Sequence, residues 1–328
     1  MKRVLFVGDN HIDERTPENR TDNYLEAVLR KLKECLVFAE TEKLDAVVFL
    51  GDVFDKREVG PLARNGTLEI LLSQSNGEPW SFNKYVVVGN HDIQSSHPLE
   101  NSSLGTIIQA GALIKTDHAE DLNISFAHFY NDLDLDITNG ALANYPAMIW
   151  ACHASFYDAP TMHDSSVVLF SDTKLHDQTK IVISGHIHKP MEMKRDDGKI
   201  FVNPGCIGRR SANKDNFNRD LKVFLLEYEV DGTIHNMDYV LIESAKHHTE
   251  VFKVEEIEMK KAEKQEAKEF LKHIVAIKSN NWTYTSFEDK IEKIKEFCVQ
   301  SNVDQKVTDI IVDALNTANL EKEKSNEQ

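Results

Sequence analysis

Cysteines are scarce in this chain, long apolar runs are missing and basic residues are outnumbered by acidic ones. No apolar run approaches the roughly 20 residues of a membrane-spanning helix, which excludes an integral membrane protein. The apolar stretch at the N-terminus is too short for a signal peptide and runs directly into Asp9. The four cysteines form no CxxC pair, so neither a disulfide scaffold nor a cysteine zinc site is expected. A reducing, cytoplasmic compartment fits this pattern.

The charge balance restricts how this protein can meet nucleic acid. Its 328 residues carry 38 Lys and Arg against 54 Asp and Glu, a net charge of −16. An acidic surface repels phosphate, so any binding of nucleic acid must be confined to a local patch. The hydrophobic fraction of 41% is ordinary for a globular protein, and the length allows roughly two domains.

The first part of the chain alternates strand and helix patterns. β-branched runs of strand length occupy residues 4–7, 46–50 and 85–88, and each is followed by glycine. Apolar residues at helical spacing mark the segments between them, with Asp22 as the predicted N-cap of the first helix and Pro61 at the start of the second. Strands and helices in this order predict a parallel sheet.

The second part of the chain favours antiparallel pairing and then changes to helices. Turn sequences at residues 196–199 and 230–233 predict two β-hairpins. From residue 254 onward Glu and Lys dominate and proline is absent, which predicts helices followed by a charged, disordered end. The predicted organisation is an α/β domain at residues 1–242, a linker at 243–254, a helical region at 255–320 and a disordered tail at 321–328.

Side chains of the types that bind metals recur at the ends of five predicted strands. The set comprises Asp9, His11, Asp52, Asn90, His91, His153, His186 and His188. Because the carboxyl ends of strands in an α/β sheet open onto one crevice, these residues are expected to converge. In Asp9-x-His11 and His186-x-His188 the two side chains point the same way, so each pair can reach one cavity. A carboxylate such as Asp52 can bridge two ions.

The mixture of carboxylate, amide and imidazole donors indicates the kind of metal and of reaction. This donor set suits Mn²⁺, Fe²⁺ or Zn²⁺ better than Ca²⁺ or Mg²⁺, which proteins usually hold through oxygen alone. Mn²⁺ is the leading prediction, and Mg²⁺ stays an alternative. Two ions about 3.5–4 Å apart form the usual clamp for displacement at phosphorus. Asp55 lies beside these ligands and is expected to orient a histidine, with a direct catalytic contribution left open.

The chain resembles the calcineurin-like metallophosphoesterase superfamily over residues 1–242. The resemblance lies in five ordered motifs: Asp9-x-His11, Gly51-Asp52-x-x-Asp55, Gly89-Asn90-His91-Asp92, His153 and Gly185-His186-x-His188. It implies an α/β fold, a two-sheet sandwich flanked by helices, here with a C-terminal helical appendix. It also implies one metal held by Asp9, His11, Asp52 and His188, and a second held by Asp52, Asn90, His153 and His186. His91 matches the histidine that contacts the phosphate and assists departure of the leaving group.

Within the superfamily, the motifs are most similar to those of the SbcD-type double-strand-break-repair nucleases. Residues 203–210 resemble the Asn-Pro-Gly-Ser loop followed by basic residues seen there, although Cys206 replaces the serine. Ser/Thr protein phosphatases are disfavoured, because the second motif lacks their glycine and the third lacks their glutamate. The resemblance implies an exonuclease or endonuclease of DNA repair and recombination, paired with an SMC-like ATPase on which the C-terminal helices dock.

A basic segment follows the last metal motif. Residues 189–222 contain nine Lys and Arg against five Asp and Glu, a local net charge of +4 within an acidic chain. We expect Lys189, Arg209 and Arg210 to contact a nucleic-acid backbone that leads into the site. The alternative is that these residues decorate exposed hairpins and bind nothing.

Three functions compete on these observations. The leading hypothesis is a two-metal phosphodiesterase that hydrolyses DNA as the nuclease subunit of an ATPase complex. The alternative is a nucleotide or other small-molecule phosphodiesterase or phosphatase. It is favoured by the acidic charge and by the short segment 243–254, which leaves little room for a DNA-capping domain. Under the leading hypothesis, the same short segment indicates a compact nuclease of the kind that large bacteriophages carry. A third hypothesis is a scaffold whose helices recruit a partner, and those helices could equally form a lid or a homodimer.

Overall fold

The computed structural model describes residues 1–93, 97–159, 167–212, 214–217, 219–278, 286–300 and 303–326. The chain forms two compact units, Met1–Phe252 and Lys253–Gln328. The strands of the first unit are β1 (Lys2–Val7), β2 (Ala46–Phe49), β3 (Asn83–Val86), β4 (His118–Ala119), β5 (Ile124–Ala127), β6 (Ile149–Cys152), β7 (Phe156–Tyr157), β8 (Val168–Leu169), β9 (Ile181–Ser184), β10 (Met191–Lys194), β11 (Ile200–Asn203), β12 (Lys222–Tyr228) and β13 (Ile234–Leu241). Its helices are α1 (Tyr24–Thr41), α2 (Pro61–Leu72), α3 (Ser103–Gln109), α4 (Leu133–Thr138), α5 (Lys214–Phe217) and α6 (His248–Val251). The second unit contains α7 (Val254–Lys278), α8 (Phe287–Gln300) and α9 (Gln305–Asn326).

The first sheet brings the ends of three parallel strands to one edge. Its order is β13-β12-β1-β2-β3, in which β1, β2 and β3 run parallel, as predicted, and β12 and β13 are antiparallel. A strand that is apolar at successive positions is suited to burial on both faces. In β1, Val4 and Phe6 face the core between the two sheets, whereas Leu5 and Val7 pack with residues of α1 and α2.

The second sheet completes the sandwich. Its order is β10-β11-β9-β6-β5-β4, with parallel pairing from β5 to β11 and antiparallel strands at both edges. Ile149 and Ile181 pack against the first sheet, and Trp150 and Val182, one position further along, face a third core that includes α4. The two-sheet sandwich flanked by helices is therefore confirmed, and so are both hairpins. The second half is mixed and not antiparallel throughout, because β5, β6 and β9 pair in parallel.

Helix α1 begins beyond the predicted N-cap. The N-cap is Asn23, whose side chain accepts a hydrogen bond from the backbone N–H of Glu26. Asp22 instead binds Arg20, with Oδ1 2.8 Å from Nε and Oδ2 2.7 Å from Nη2. A guanidinium that meets both carboxylate oxygens is a stronger partner for Asp22 than a single amide. Pro61 opens α2 as predicted.

The segments predicted as linker and tail include residues that belong to the first compact unit and to α9. Residues 243–252 belong to the first compact unit: Thr21 donates its N–H to the Val251 carbonyl, and Phe252 is buried. Helix α9 continues through residues 321–326, in agreement with the high helix propensity of Glu and Lys.

The helices of the second unit share a small apolar core. It contains Ala267 of α7, Ile294 and Cys298 of α8, and Val307 and Ile311 of α9. The helices predicted after residue 254 are thus present. Within the described ranges, no helix is both long and apolar enough to cross a membrane.

Candidate metal centre

Loops after five strands deliver the predicted ligands to one place. β1, β2 and β3 of the first sheet lead to Asp9, Asp52 and Asn90, while β6 and β9 of the second lead to His153 and His186. Ligand atoms lie within 4.8 Å of one another in three groups: Asp9, His11 and His188; His11, Asp52 and His91; Asp52, His153 and His186. The convergence expected from the order of the strands is present.

The first cluster of ligand atoms surrounds His11. Its Nε2 lies 2.8 Å from Nε2 of His188 and 3.7 Å from Oδ2 of Asp52. Oδ2 of Asp9 lies 3.7 Å from His188 Nε2. Asp9 and His11 are buried, whereas the His188 side chain is 41% exposed, so this cluster opens to solvent beside His188.

The second cluster of ligand atoms surrounds His153. Oδ1 of Asn90 lies 2.9 Å from His153 Nε2 and 3.0 Å from His186 Nδ1. Oδ2 of Asp52 lies 3.4 Å from His153 Nε2, and the same oxygen faces His11 in the first cluster. Asp52 therefore stands between the clusters, where a bridging carboxylate belongs. The resemblance implies the same two sets with Asp52 shared, and that these residues hold metal ions stays a prediction.

Three candidate ligands have a left-handed backbone, which residues other than glycine seldom adopt. The φ angle is 49° at His11, 47° at Asp52 and 72° at His186. Such conformations cost about 1–3 kcal/mol each and cluster at functional sites. Gly89 permits the close approach of another loop, because a Cβ at this position would lie 2.2 Å from Oδ1 of Asp52. The glycines of the motifs thus serve the packing of the loops around the ligands.

Hydrogen bonds to backbone carbonyls orient two of the histidines. His153 Nδ1 lies 2.7 Å from the carbonyl oxygen of Leu50, and His91 Nδ1 lies 2.5 Å from that of Asp55. A carbonyl oxygen can only accept, so Nδ1 carries the proton in both rings. Nε2 of His153 is then available to a cation, and Nε2 of His91 is left to exchange a proton with a substrate.

Burial and the carboxylates together set the protonation of the clusters. Burial opposes the charged form of His153, yet Asp52 and Asp9 raise its pKa to about 9. Burial and a neighbouring imidazole lower the pKa of His186 to about 4 and that of His188 to about 3. His186 and His188 are therefore neutral near pH 7 and can offer lone pairs. The attraction that protonates His153 would act equally on a divalent cation.

Asp92 supports the loop that carries Asn90 and His91 through hydrogen bonds to the backbone. Its carboxylate accepts hydrogen bonds from the backbone N–H groups of Gly89 at 3.0 Å and Phe54 at 3.3 Å. Burial raises the pKa of Asp92 to about 7, and a neighbouring carboxylate adds to the shift.

A comparison of sequences identifies the family. The sequence model of the calcineurin-like phosphoesterases matches residues 2–190, more than half of the chain. The chain belongs to the calcineurin-like phosphoesterase family. The matched span contains all seven predicted metal ligands. No curated protein matches the chain.

Solved structures that align with this phosphoesterase share little of its sequence. A dimetal phosphatase from Danio rerio is 12% identical over 74% of this chain and 99% of that chain, with a TM-score of 0.42. The NAD nucleotidase of Haemophilus influenzae is 10% identical over 73% of this chain and 50% of that chain, with a TM-score of 0.39. A 5'-nucleotidase precursor from Thermus thermophilus is 9% identical over 76% and 56%, with a TM-score of 0.38. The alignments thus span about half the length of the two nucleotidases. Family membership rests on the sequence match.

The donor set of the phosphoesterase centre fits two divalent ions. Asp9 Oδ2 is buried without a hydrogen-bond partner among the described residues, a need that a bound cation would meet. The ligands would be Asp9, His11, Asp52 and His188 for one ion, and Asp52, Asn90, His153 and His186 for the other. When bound, two such ions activate the attacking water and stabilise the charge that develops on the phosphoryl oxygens.

The two predicted catalytic residues of the phosphoesterase, His91 and Asp55, contact each other at the rim of the centre. The His91 side chain is 37% exposed, so its Nε2 edge can meet a substrate. Oδ1 of Asp55 lies 3.3 Å from Nδ1 of His11, and both carboxylate oxygens receive the guanidinium of Arg210. Asp55 is therefore placed to orient His11 and His91, and it belongs to neither ligand cluster.

The three residues predicted to contact a nucleic-acid backbone have different surroundings. Lys189 is exposed and follows His188. Arg210 is turned towards Asp55. Arg209 is only 5% exposed, and its guanidinium donates to the carbonyl of Asn216. The contact predicted for Arg209 would require this side chain to leave the interior.

Two further contacts at the centre have no signal in the motifs. Tyr24 of α1 donates its hydroxyl hydrogen to the carbonyl of His11, at 3.0 Å. The ring of Phe129 stacks on that of His186, with centroids 6.5 Å apart and planes at 21°. In the sequence, Tyr24 looks like any other apolar residue of an amphipathic helix. For Phe129, the one indication of a place at the site is its position shortly after β5.

Proposed function

We propose that this phosphoesterase hydrolyses a nucleotide or another small phosphoester. The observation that carries the proposal is a cavity of about 540 Å³ that adjoins the metal centre. His186 and His188 line it, together with Tyr157, Lys189 and Met191. Sites for small molecules and cofactors have volumes of about 300–1,000 Å³, so the cavity can take a substrate of nucleotide size.

The lining of this cavity combines groups that suit the parts of a nucleotide. Lys189 brings a positive charge for a phosphate. Tyr157 brings an aromatic ring of the kind on which bases stack. Met191 brings a flexible apolar side chain that adapts to different ring shapes.

The cations of segment 189–222 support a small substrate over DNA. Arg195, Lys199 and Arg219 donate to backbone carbonyls of this protein, as Arg209 does. These four groups are therefore engaged within the fold, which leaves fewer cations of the segment to follow a nucleic-acid backbone. The net charge of −16 adds general repulsion.

Three side chains of the site have distinct roles in the proposed hydrolysis. Protonated His91 gives the proton on Nε2 to the leaving oxygen, because its Nδ1 is engaged by the Asp55 carbonyl. Asp55, held by Arg210, keeps His11 and His91 in position. Lys189, which lines the cavity, offers its positive charge to a phosphate of the substrate.

Cleavage of DNA is the second candidate, and the separate helical unit Lys253–Gln328 favours it. Met259 and Val299 of this unit are 59% and 76% exposed, which offers apolar contacts to a partner. An SMC-like ATPase subunit is the partner proposed for that candidate, and a second copy of this chain is the alternative. Because this chain has a net charge of −16, a partner would have to supply much of the positive charge that binds DNA.

The test compares substrates with the full chain loaded with Mn²⁺. Hydrolysis of nucleoside monophosphates, cyclic nucleotides and nitrophenyl phosphodiesters is measured beside degradation of linear DNA, with Asp52→Asn as the blank for contaminating enzymes. Turnover of a nucleotide with DNA left intact supports the proposal. Degradation of DNA that is faster than turnover of every small substrate supports the second candidate.

Variants of the cavity sharpen this test. Tyr157→Ala and Lys189→Gln should raise KM for the preferred nucleotide with little change in kcat, because they remove binding and leave the reacting groups intact. Lys194→Gln is the matched control, since Lys194 is likewise an exposed lysine and is not among the residues that line the cavity. Unchanged KM values in both cavity variants would count against a substrate held there.

A further inference from the structure

A second polar cavity lies in the unit Met1–Phe252, apart from the metal centre. Five cations and one carboxylate line it: Arg20, Arg30, Lys31, Arg209, Lys246 and Asp22. None of these residues is a candidate metal ligand, and none lines the cavity beside His186. We call it the Arg209 pocket. Its excess of positive charge attracts anions.

The buried cations of the Arg209 pocket are poorly compensated. Arg20, Lys31 and Arg209 are 8%, 4% and 5% exposed. Asp22 is bound by Arg20, whereas the hydrogen bonds of Lys31 and Arg209 go to neutral backbone carbonyls, and Asp220 offsets part of the charge on Arg209. Burial, followed by repulsion from Arg20, lowers the pKa of Lys31 to about 7. The Glu34 carboxylate lies beside the pocket, where it accepts from the backbone N–H of Ser244, yet the lining itself carries five cations against one carboxylate.

Two hydrogen-bond donors at the pocket lack an acceptor. Nε of Arg209 and the hydroxyl of Ser244 are buried, and neither has a hydrogen-bond partner within the part of the chain that the structure describes. Both residues line the pocket. An unmet buried donor costs about 1–3 kcal/mol, so an acceptor that enters the pocket and reaches either group would remove a penalty of that size.

We propose that the Arg209 pocket binds inorganic phosphate. The enclosed part of the pocket has a volume of about 10 Å³, counted as the space open to the centre of a water-sized sphere. This is enough for one oxygen atom. That oxygen would accept from Nε of Arg209 or from the hydroxyl of Ser244. Arg30 and Lys246 also line the pocket and are exposed, so they supply positive charge for the oxygens that stay at the surface. Guanidinium groups match the several oxygens of an oxyanion, which a chloride ion lacks.

Phosphate in this pocket would stabilise residues 207–210, which lead into the metal centre. Arg20 donates to the carbonyl of Arg209 at 2.6 Å, and Lys31 donates to that of Ile207 at 3.0 Å. The next residue, Arg210, binds Asp55. An anion that weakens the repulsion between Arg20, Lys31 and Arg209 therefore stabilises the segment that carries Arg210.

The test is thermal unfolding of the full, metal-loaded chain in increasing phosphate, with sodium chloride at matched ionic strength as the reference. Ser244→Ala removes one unmet donor, and Arg30→Gln combined with Lys246→Gln removes the exposed charges; both leave the buried guanidinium groups in place. Lys194→Gln is the control. In phosphate-free buffer Ser244→Ala should unfold at or above the wild-type temperature, which checks that it folds.

We expect phosphate to raise the Tm of the wild type and of Lys194→Gln more than chloride does, because a ligand of the folded state stabilises it. Both pocket variants should lose most of that gain. Any gain from phosphate at the metal centre is common to all four proteins and cancels in the comparison. Equal gains in all four proteins, or equal gains in phosphate and chloride, would overturn the proposal.

Discussion

Arg210 and Asp55 form a two-point ion pair at the edge of the metal centre. Nη1 of Arg210 lies 2.5 Å from Oδ1 of Asp55, and Nη2 lies 2.7 Å from Oδ2. The pair joins the loop after β2 to the segment after β11, so both sheets contribute to it. Because a guanidinium fork fixes the plane of a carboxylate, Arg210 determines how Asp55 faces His11 and His91.

Arg210→Gln should lower the rate of hydrolysis about 10–100-fold, the usual cost of losing a group that orients a metal ligand. Arg210→Lys should not restore the rate, since an ammonium cannot hold both oxygens of Asp55. Arg195→Gln is the control, because Arg195 forms a similar pair with Asp197 at 2.7 Å, outside the ligand clusters. Full activity of Arg210→Gln in a steady-state assay would show that Asp55 needs no partner.

His91→Ala should reduce kcat according to the leaving group. Loss of a proton donor costs about 10²–10⁴-fold where the leaving oxygen is basic, and much less for a nitrophenolate, which departs without a proton. The measurement is kcat for an alkyl and for a nitrophenyl ester, with the exposed His235→Gln as control. The metal content should stay that of the wild type. Equal losses on both esters would contradict the role of His91 as proton donor.

Much of the fold and of the candidate site follows from local patterns. The apolar runs that end in glycine predict β1, β2 and β3, although β3 begins two residues before the predicted run 85–88. The convergence of Asp9, Asp52 and Asn90 follows from parallel strands whose carboxyl ends share one edge. The N-cap of α1 is Asn23 and not the predicted Asp22, because Arg20 binds the Asp22 carboxylate. Local sequence does not predict this contact, since it forms only in the folded chain.

The contacts that the side chains of the basic segment make could not be predicted from their charge alone. Arg209 and Arg210 are neighbours in sequence, yet one is buried against a backbone carbonyl and the other meets a carboxylate at the metal centre. Hydrogen bonds to carbonyls of distant loops decide which way each side chain turns. Composition records the charges of such residues and carries no information about those partners.

Gly89→Ala should disturb both metal retention and stability. The added Cβ would lie 2.2 Å from Oδ1 and 2.3 Å from the backbone nitrogen of Asp52, so the Asp52 carboxylate must move. Overpacking of this kind costs about 1–3 kcal/mol, measured by denaturant unfolding. Gly66→Ala is the control, because a Cβ there meets only a flexible methyl group of Leu29, at 2.9 Å. A Gly89→Ala protein with wild-type stability and metal content would refute this account of the glycine.

Lys31 should make the protein more stable as the pH rises above neutrality in phosphate-free buffer. Burial and Arg20 lower its pKa from 10.5 to about 7 in the folded state. Between these values the unfolded chain binds more protons, so the free energy of unfolding increases with pH, by at most about 1.4 kcal/mol per pH unit. Denaturant unfolding at several pH values should give a flatter profile for Lys31→Met than for wild type and the control Lys194→Met. Identical slopes in all three would contradict the assignment.

The number of metal ions bound per chain tests the central claim most directly. Asp52 faces both ligand clusters and Asn90 faces one, so the wild type should retain two divalent ions, Asn90→Ala one, and Asp52→Asn neither firmly. Mass spectrometry of the dialysed proteins gives this number, beside hydrolysis of a nitrophenyl phosphodiester before and after chelation. The account predicts two ions, loss of hydrolysis with chelator and its return with Mn²⁺. Hydrolysis that survives complete removal of the ions, or full activity with fewer than two, would contradict it.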